Sequence, residues 1–125
     1  MRGLLAVLLI GLATISFAEV GDVYYCNTVS ISAVQSGELK QYGSEKFKFK
    51  WNEASIEFGD GDGYFKNTTA PITKGYPSIE TFYGGKDYDH IRFIKGRFRY
   101  VYVSNKEPYL GGPETLTIVA NCDKF

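Results

Sequence analysis

From residue 19 onward, apolar and polar side chains alternate with period two over short stretches. The clearest is Lys46-Phe47-Lys48-Phe49-Lys50-Trp51, which puts three aromatics on one face and three lysines on the other, because neighbours in a strand point to opposite sides. Arg97-Phe98-Arg99-Tyr100-Val101-Tyr102-Val103 repeats the scheme with Phe98, Tyr100 and Tyr102 inward. The run over 115–122 sets Leu116, Ile118, Ala120 and Cys122 on one side. Weaker strands fit at 23–33 (two pieces broken near Asn27), at 55–58 with Ile56 and Phe58 inward, and at 63–66, 78–83 and 90–95. Turn chemistry separates them: Ser36-Gly37, Asn52-Glu53, Gly59-Asp60-Gly61-Asp62-Gly63, Gly84-Gly85, Asn105-Lys106 and Gly111-Gly112-Pro113.

This spacing predicts an all-β, single-domain antiparallel β-barrel of about eight strands, up-and-down and lipocalin-like, with a β-sandwich as the alternative. Short hairpin connections favour the barrel. Eight strands enclose a space that side chains just fill, or that holds one small ligand. Phe47, Phe49, Trp51, Phe98, Tyr100, Tyr102 and Ile118 are bulky enough to fill it, so a dry core is expected, with cavity lining by the same residues as the other possibility.

The first eighteen residues break the pattern. Arg2 precedes an unbroken apolar run over 4–13, and Ser16-Phe17-Ala18 is a small-x-small cleavage site. This is the pattern of a secretory signal peptide, helical before removal, and it leaves 19–125 as the exported domain, secreted or periplasmic. The run falls short of the roughly 20 apolar residues that span a bilayer, so no membrane span is expected in the mature chain. Cys26 and Cys122 agree with that compartment: one pair in an exported domain is most simply a disulfide. Metal or thiol chemistry would want CxxC spacing with a neighbouring His.

Composition removes several functions. The chain has 125 residues with 14 basic against 14 acidic side chains, 44% hydrophobic and 16% aromatic. It is too apolar for disorder, and its balanced charge gives no footprint for nucleic acid. The Gly59–Gly63 stretch resembles a calcium loop, but positions five, six and twelve from Asp60 are Tyr64, Phe65 and Pro71 rather than the Asp or Asn, Gly and Glu an EF-hand needs. A hairpin turn is the plainer reading. Asp87-Tyr88-Asp89-His90 is the densest group of acid/base or ligand side chains. Consecutive loop residues rarely converge on one point, so a hydrolase or metal enzyme centred on His90 is the weakest reading, and no metal, cofactor or catalytic set is assigned. Asn67-Thr68-Thr69 is a glycosylation sequon in a eukaryotic secretory route and otherwise a polar turn.

Lys46, Lys48 and Lys50 form a solvated basic row, and Arg97 and Arg99 a second. The lysines serve either as a guard against edge-to-edge strand pairing or, with the arginines, as a docking surface for a protein or polysaccharide partner.

A small exported β-barrel bracketed by Cys26 and Cys122 resembles in outline the periplasmic C-type lysozyme inhibitors of bacteria. Their SGxxY and YxxxTKG motifs are missing here: Ile94-Lys95-Gly96 merely echoes the second, and the residues after it stand in the wrong order. The expectation is therefore a non-enzymatic exported binding or inhibitor module acting through its outer face or loops. The alternative is a carrier of a small apolar ligand inside the barrel.

Overall fold

The computed structural model describes residues 17–104 and 114–125. Among them are nine strands: β1 (Val23–Gln35), β2 (Glu38–Tyr42), β3 (Lys46–Trp51), β4 (Ser55–Phe58), β5 (Thr69–Tyr76), β6 (Thr81–Gly84), β7 (Asp89–Ile94), β8 (Arg97–Val103) and β9 (Thr115–Lys124). Every pairing is antiparallel, in the order β1-β3-β4-β5-β6-β7-β8-β9, and β9 pairs back onto β1. Eight strands therefore close into a barrel, and the sandwich is excluded. The ninth, β2, stands outside the ring. It pairs with the far half of β1, from Ile31↔Tyr42 to Gln35↔Glu38, and is exposed along its length.

The alternating runs behave as their pattern demands. Phe47, Phe49, Trp51, Ile56, Phe58, Phe98, Tyr100, Leu116, Ile118 and Ala120 are all buried. Tyr102 is the exception among the expected core residues, only partly buried at the end of β8. Tyr24, Phe82 and Phe93 complete the interior, where Phe49 stacks on Tyr24 at 5.2 Å and meets Phe93 edge-on at 5.3 Å. Trp51 meets Phe82 edge-on at 4.9 Å.

The structure corrects several expected elements. The region 23–33 is not two pieces: β1 runs unbroken, and a bulge between Thr28 and Ser30 absorbs the residue that upset the alternation. An extra bulge residue shifts the face of everything after it while pairing continues. No strand forms at 63–66. Gly63–Phe65 is a 3₁₀ turn, and it drops Phe65 into the barrel mouth, 5.3 Å from Phe47 and 5.0 Å from Tyr100. Residues 78–83 divide into the 3₁₀ turn Pro77–Ile79 and β6. The expected signal helix over 1–18 lies outside the described residues apart from Phe17 and Ala18, which are irregular, and the described residues contain no helix beyond the 3₁₀ turns. The Asn105-Lys106 and Gly111-Gly112-Pro113 separators also lie outside them.

Cys26 and Cys122 are bonded, at directly opposed positions of β1 and β9 with Cα atoms 4.0 Å apart. The bond joins the first and last strands of the ring. A buried disulfide accords with an oxidising compartment.

Candidate binding face

The closed register builds a contiguous row of outward side chains across four strands. Lys74 on β5 pairs with Tyr83 on β6, Tyr83 with Arg92 on β7, and Arg92 with Arg99 on β8. Their strand neighbours Phe82, Ile91, Phe93, Phe98 and Tyr100 are buried, so alternation sends Tyr83, Arg92 and Arg99 to the outside. Arg97 lies on the same face of β8 and Lys95 in the adjoining turn; both are exposed, as are Lys74, Arg92 and Arg99. Among the described residues, none of them is ion-paired with a carboxylate. The one acidic residue on β5–β8 is Asp89, which turns inward to accept the Tyr100 hydroxyl at 3.2 Å. The ion pairs among the described residues are Lys48–Asp62 and Lys124–Asp22, so this row has none.

A two-residue turn fixes the Arg92–Arg99 juxtaposition. Ile94 faces Arg97 across Lys95 and Gly96, which have φ of 46° and 86°. Positive φ at both positions is the geometry of the tight hairpin turn whose twist matches the strands, and a Cβ on Gly96 would lie 2.8 Å from the Cys122 carbonyl oxygen.

Of the residues nominated from sequence, Arg97 and Arg99 belong to this row, while Lys46, Lys48 and Lys50 stand on β3, with β9 and β1 between. The edge-guard explanation fails at Lys50, where β3 has β1 on one side and β4 on the other, whereas Lys46 and Lys48 precede the β4 pairing, which begins at Phe49. Nor are the three lysines equivalent. Lys46 and Lys50 are exposed, but Lys48 is half-buried and its Nζ lies 3.4 Å from Oδ1 of Asp62. Asp62 is 2% exposed and also accepts the backbone N–H of Lys48 and of Gly59. The Gly59–Gly63 stretch is thus a loop tied to β3 by a buried carboxylate, not a plain hairpin turn. Lys48→Glu should cost about 1–2 kcal/mol by setting a second carboxylate against Asp62. Lys46→Glu should stay within about 0.5 kcal/mol; equal urea midpoints for the two variants would reject the pairing.

Lys74, Tyr83 and Arg92 were missed by sequence reasoning. Lys74 and Tyr83 depend on β5 and β6, and the bulge in β5 between Ile72 and Lys74 hides the period. Arg92 did carry a signal: a Lys-Gly hairpin at 95–96 places Arg92 opposite Arg99 by counting outward from the turn.

The Asp87–His90 group does not converge. Asp89 turns into the barrel mouth, where it also accepts the Lys86 N–H, whereas His90 lies exposed on the outer face opposite Val101. At that mouth an open hollow of about 450 Å³ is lined by Ile31, Ala33, Tyr42, Glu45, Tyr64 and Leu116. Asn67 occupies an exposed turn and donates to Asp60 Oδ1 at 3.1 Å.

Two buried phenols carry a pH dependence. Burial raises the pKa of Tyr24, aided by the charges of Glu80 and Asp22; burial and then Tyr64 and Asp89 raise that of Tyr100. Both stand above the ordinary tyrosine value of 10.0. Their contribution to stability is therefore complete below pH 10 and drains away as pH climbs beyond it, because the unfolded chain ionises first. Absorbance titration should show two of the ten tyrosines resisting ionisation until the barrel unfolds; a full complement ionising near pH 10 in the folded state would contradict it.

Comparison with protein families, with curated proteins and with solved structures finds no match to this chain.

Proposed function

We propose that this chain is an exported, non-enzymatic binding module that engages its partner through the outer face of β5–β8. The observation that carries the reading is the cationic row Lys74–Arg92–Arg99 with Arg97, exposed and without a carboxylate partner among the described residues, in a chain whose charges balance overall. Arg92 and Arg99 sit directly opposite each other, an arrangement that costs stability when like charges are unrelieved. An anionic partner relieves it. Export draws support from the leader sequence and from the buried Cys26–Cys122 bond, which is compatible with an oxidising, secreted or periplasmic setting.

The test is charge reversal. Mature protein on a resin, exposed to its native periplasm or medium, should capture a partner that mass spectrometry identifies and that Arg92→Glu/Arg99→Glu fails to retain. Capture unaffected by the reversal would reject the outer-face reading. The hollow at the barrel mouth favours a second reading, a small apolar ligand held against Ile31, Ala33, Tyr42 and Leu116. Saturable binding of an apolar fluorophore, lost on Ala33→Trp, would support that alternative.

A further inference from the structure

We propose that the row across β5–β8 binds a linear acidic polysaccharide bearing sulfate or carboxylate groups, an inference that rests on the outer-face reading above. Three features point to that class of partner. Three of the cationic groups lie in a line with a tyrosine: Lys74, Tyr83, Arg92 and Arg99 are successive register partners on four neighbouring strands, and Arg97 and Lys95 stand beside its Arg92–Arg99 end. At about 4.8 Å per strand the line spans roughly 14 Å. A linear polyanion can lie along such a line and offer it anions in sequence.

The line also interleaves aromatic and cationic groups. Tyr83 stands between Lys74 and Arg92, and with the half-exposed Tyr76 it walls a shallow open recess, completed by Thr73, Lys74 and His90. A tyrosine ring presents an apolar body with a polar tip. It can pack against the C–H face of a sugar ring while Arg92 and Arg99, next along the line, take the sugar's oxyanions in their planar fork.

The distribution of charge argues against a protein partner. Protein interfaces deplete charge at a buried apolar centre, whereas here the opposed pair Arg92 and Arg99 stands at one end of the line, with Arg97 beside it two residues away on β8 and Lys74 at the far end beyond Tyr83, so charge runs through the patch from end to end. One sulfate or carboxylate between the two guanidinium groups would neutralise the like-charge contact that the hairpin register imposes.

The experiment measures binding of the mature protein to dextran sulfate and polygalacturonate, with neutral dextran as control, at low and physiological salt. At least one acidic polymer should bind and neutral dextran should not, and binding should weaken as salt rises. Arg92→Ala/Arg99→Ala should weaken it about tenfold or more, without lowering the melting temperature, because that pair only repels. Tyr83→Ala should weaken it at unchanged charge. Lys40→Ala/Lys66→Ala removes the same two charges from exposed positions elsewhere and should change binding less than twofold. Equal losses from the two double variants would overturn the inference, as would stronger binding to anionic phospholipid vesicles or to a single-stranded oligonucleotide. If both acidic polysaccharides fail but an acidic protein is captured in an Arg92- and Arg99-dependent way, the polysaccharide falls and the outer-face reading stands. If capture too is insensitive to the arginines, both fall.

Discussion

Replacing Phe49 by alanine is expected to lower the stability of the barrel by about 3–5 kcal/mol. The ring is 1% exposed and lies within 6.2 Å, centroid to centroid, of Tyr24, Phe58, Phe82, Phe93 and Phe98. These neighbours come from five different strands, so truncation leaves a void that no single element can close by shifting. The loss combines the transfer of the ring out of an apolar site with the contacts that the five rings forfeit around the cavity. Domains of this kind hold about 5–15 kcal/mol in all, so the variant should unfold at a much lower urea concentration and melt well below the parent. Phe49→Leu keeps most of the volume and should lose less than half as much. A Phe49→Ala midpoint within experimental error of the parent would mean that this position is not the centre of the core.

Removing the disulfide should cost about 2–5 kcal/mol. The bond spans a sequence separation of 96 residues and joins β1 to β9, the pairing that closes the ring. Its stabilisation acts mainly on the unfolded chain, which with the bond intact is already a loop of nearly the whole domain. Cys26→Ala/Cys122→Ala should therefore keep the native near-ultraviolet spectrum while shifting the urea midpoint down. The intact protein should be two hydrogens light by mass under non-reducing conditions. Both cysteines are buried, at 2% and 8% exposure, so an added thiol should reduce the bond slowly until denaturant opens the closure. Two alkylatable thiols in the folded protein, or an unchanged midpoint in the double variant, would contradict this.

The strands carrying most of the core were legible because their periodicity is strict. In β3, β4, β8 and β9 each alternate residue is apolar, and a strand cannot place neighbours on one side, so facing follows from local chemistry alone. The cysteine bracket and the density of turns carried the closure of the sheet for the same reason: strands joined by short turns pair with their neighbours. Where the chain departs from the pattern, reading failed. The bulge between Thr28 and Ser30 made one long strand look like two, and the bulge after Ile72 concealed β5 altogether. Phe65 has the apolarity of a strand residue but reaches the core from a 3₁₀ turn, because the buried Asp62 ties its loop across β3.

By itself, then, the sequence determined the all-β class, the inward and outward faces of the regular strands, and the presence of basic residues outside. Which of those basic residues stand together was decided by the tertiary structure. Arg97 and Arg99 join Arg92, Tyr83 and Lys74 rather than the lysines of β3. The physical reason is that facing is a property of one strand, set by a period of two, whereas adjacency on the outer wall is a property of register between strands. That register depends on turn geometry, on bulges and on the closure of β1 against β9, which brings together residues almost the whole chain apart.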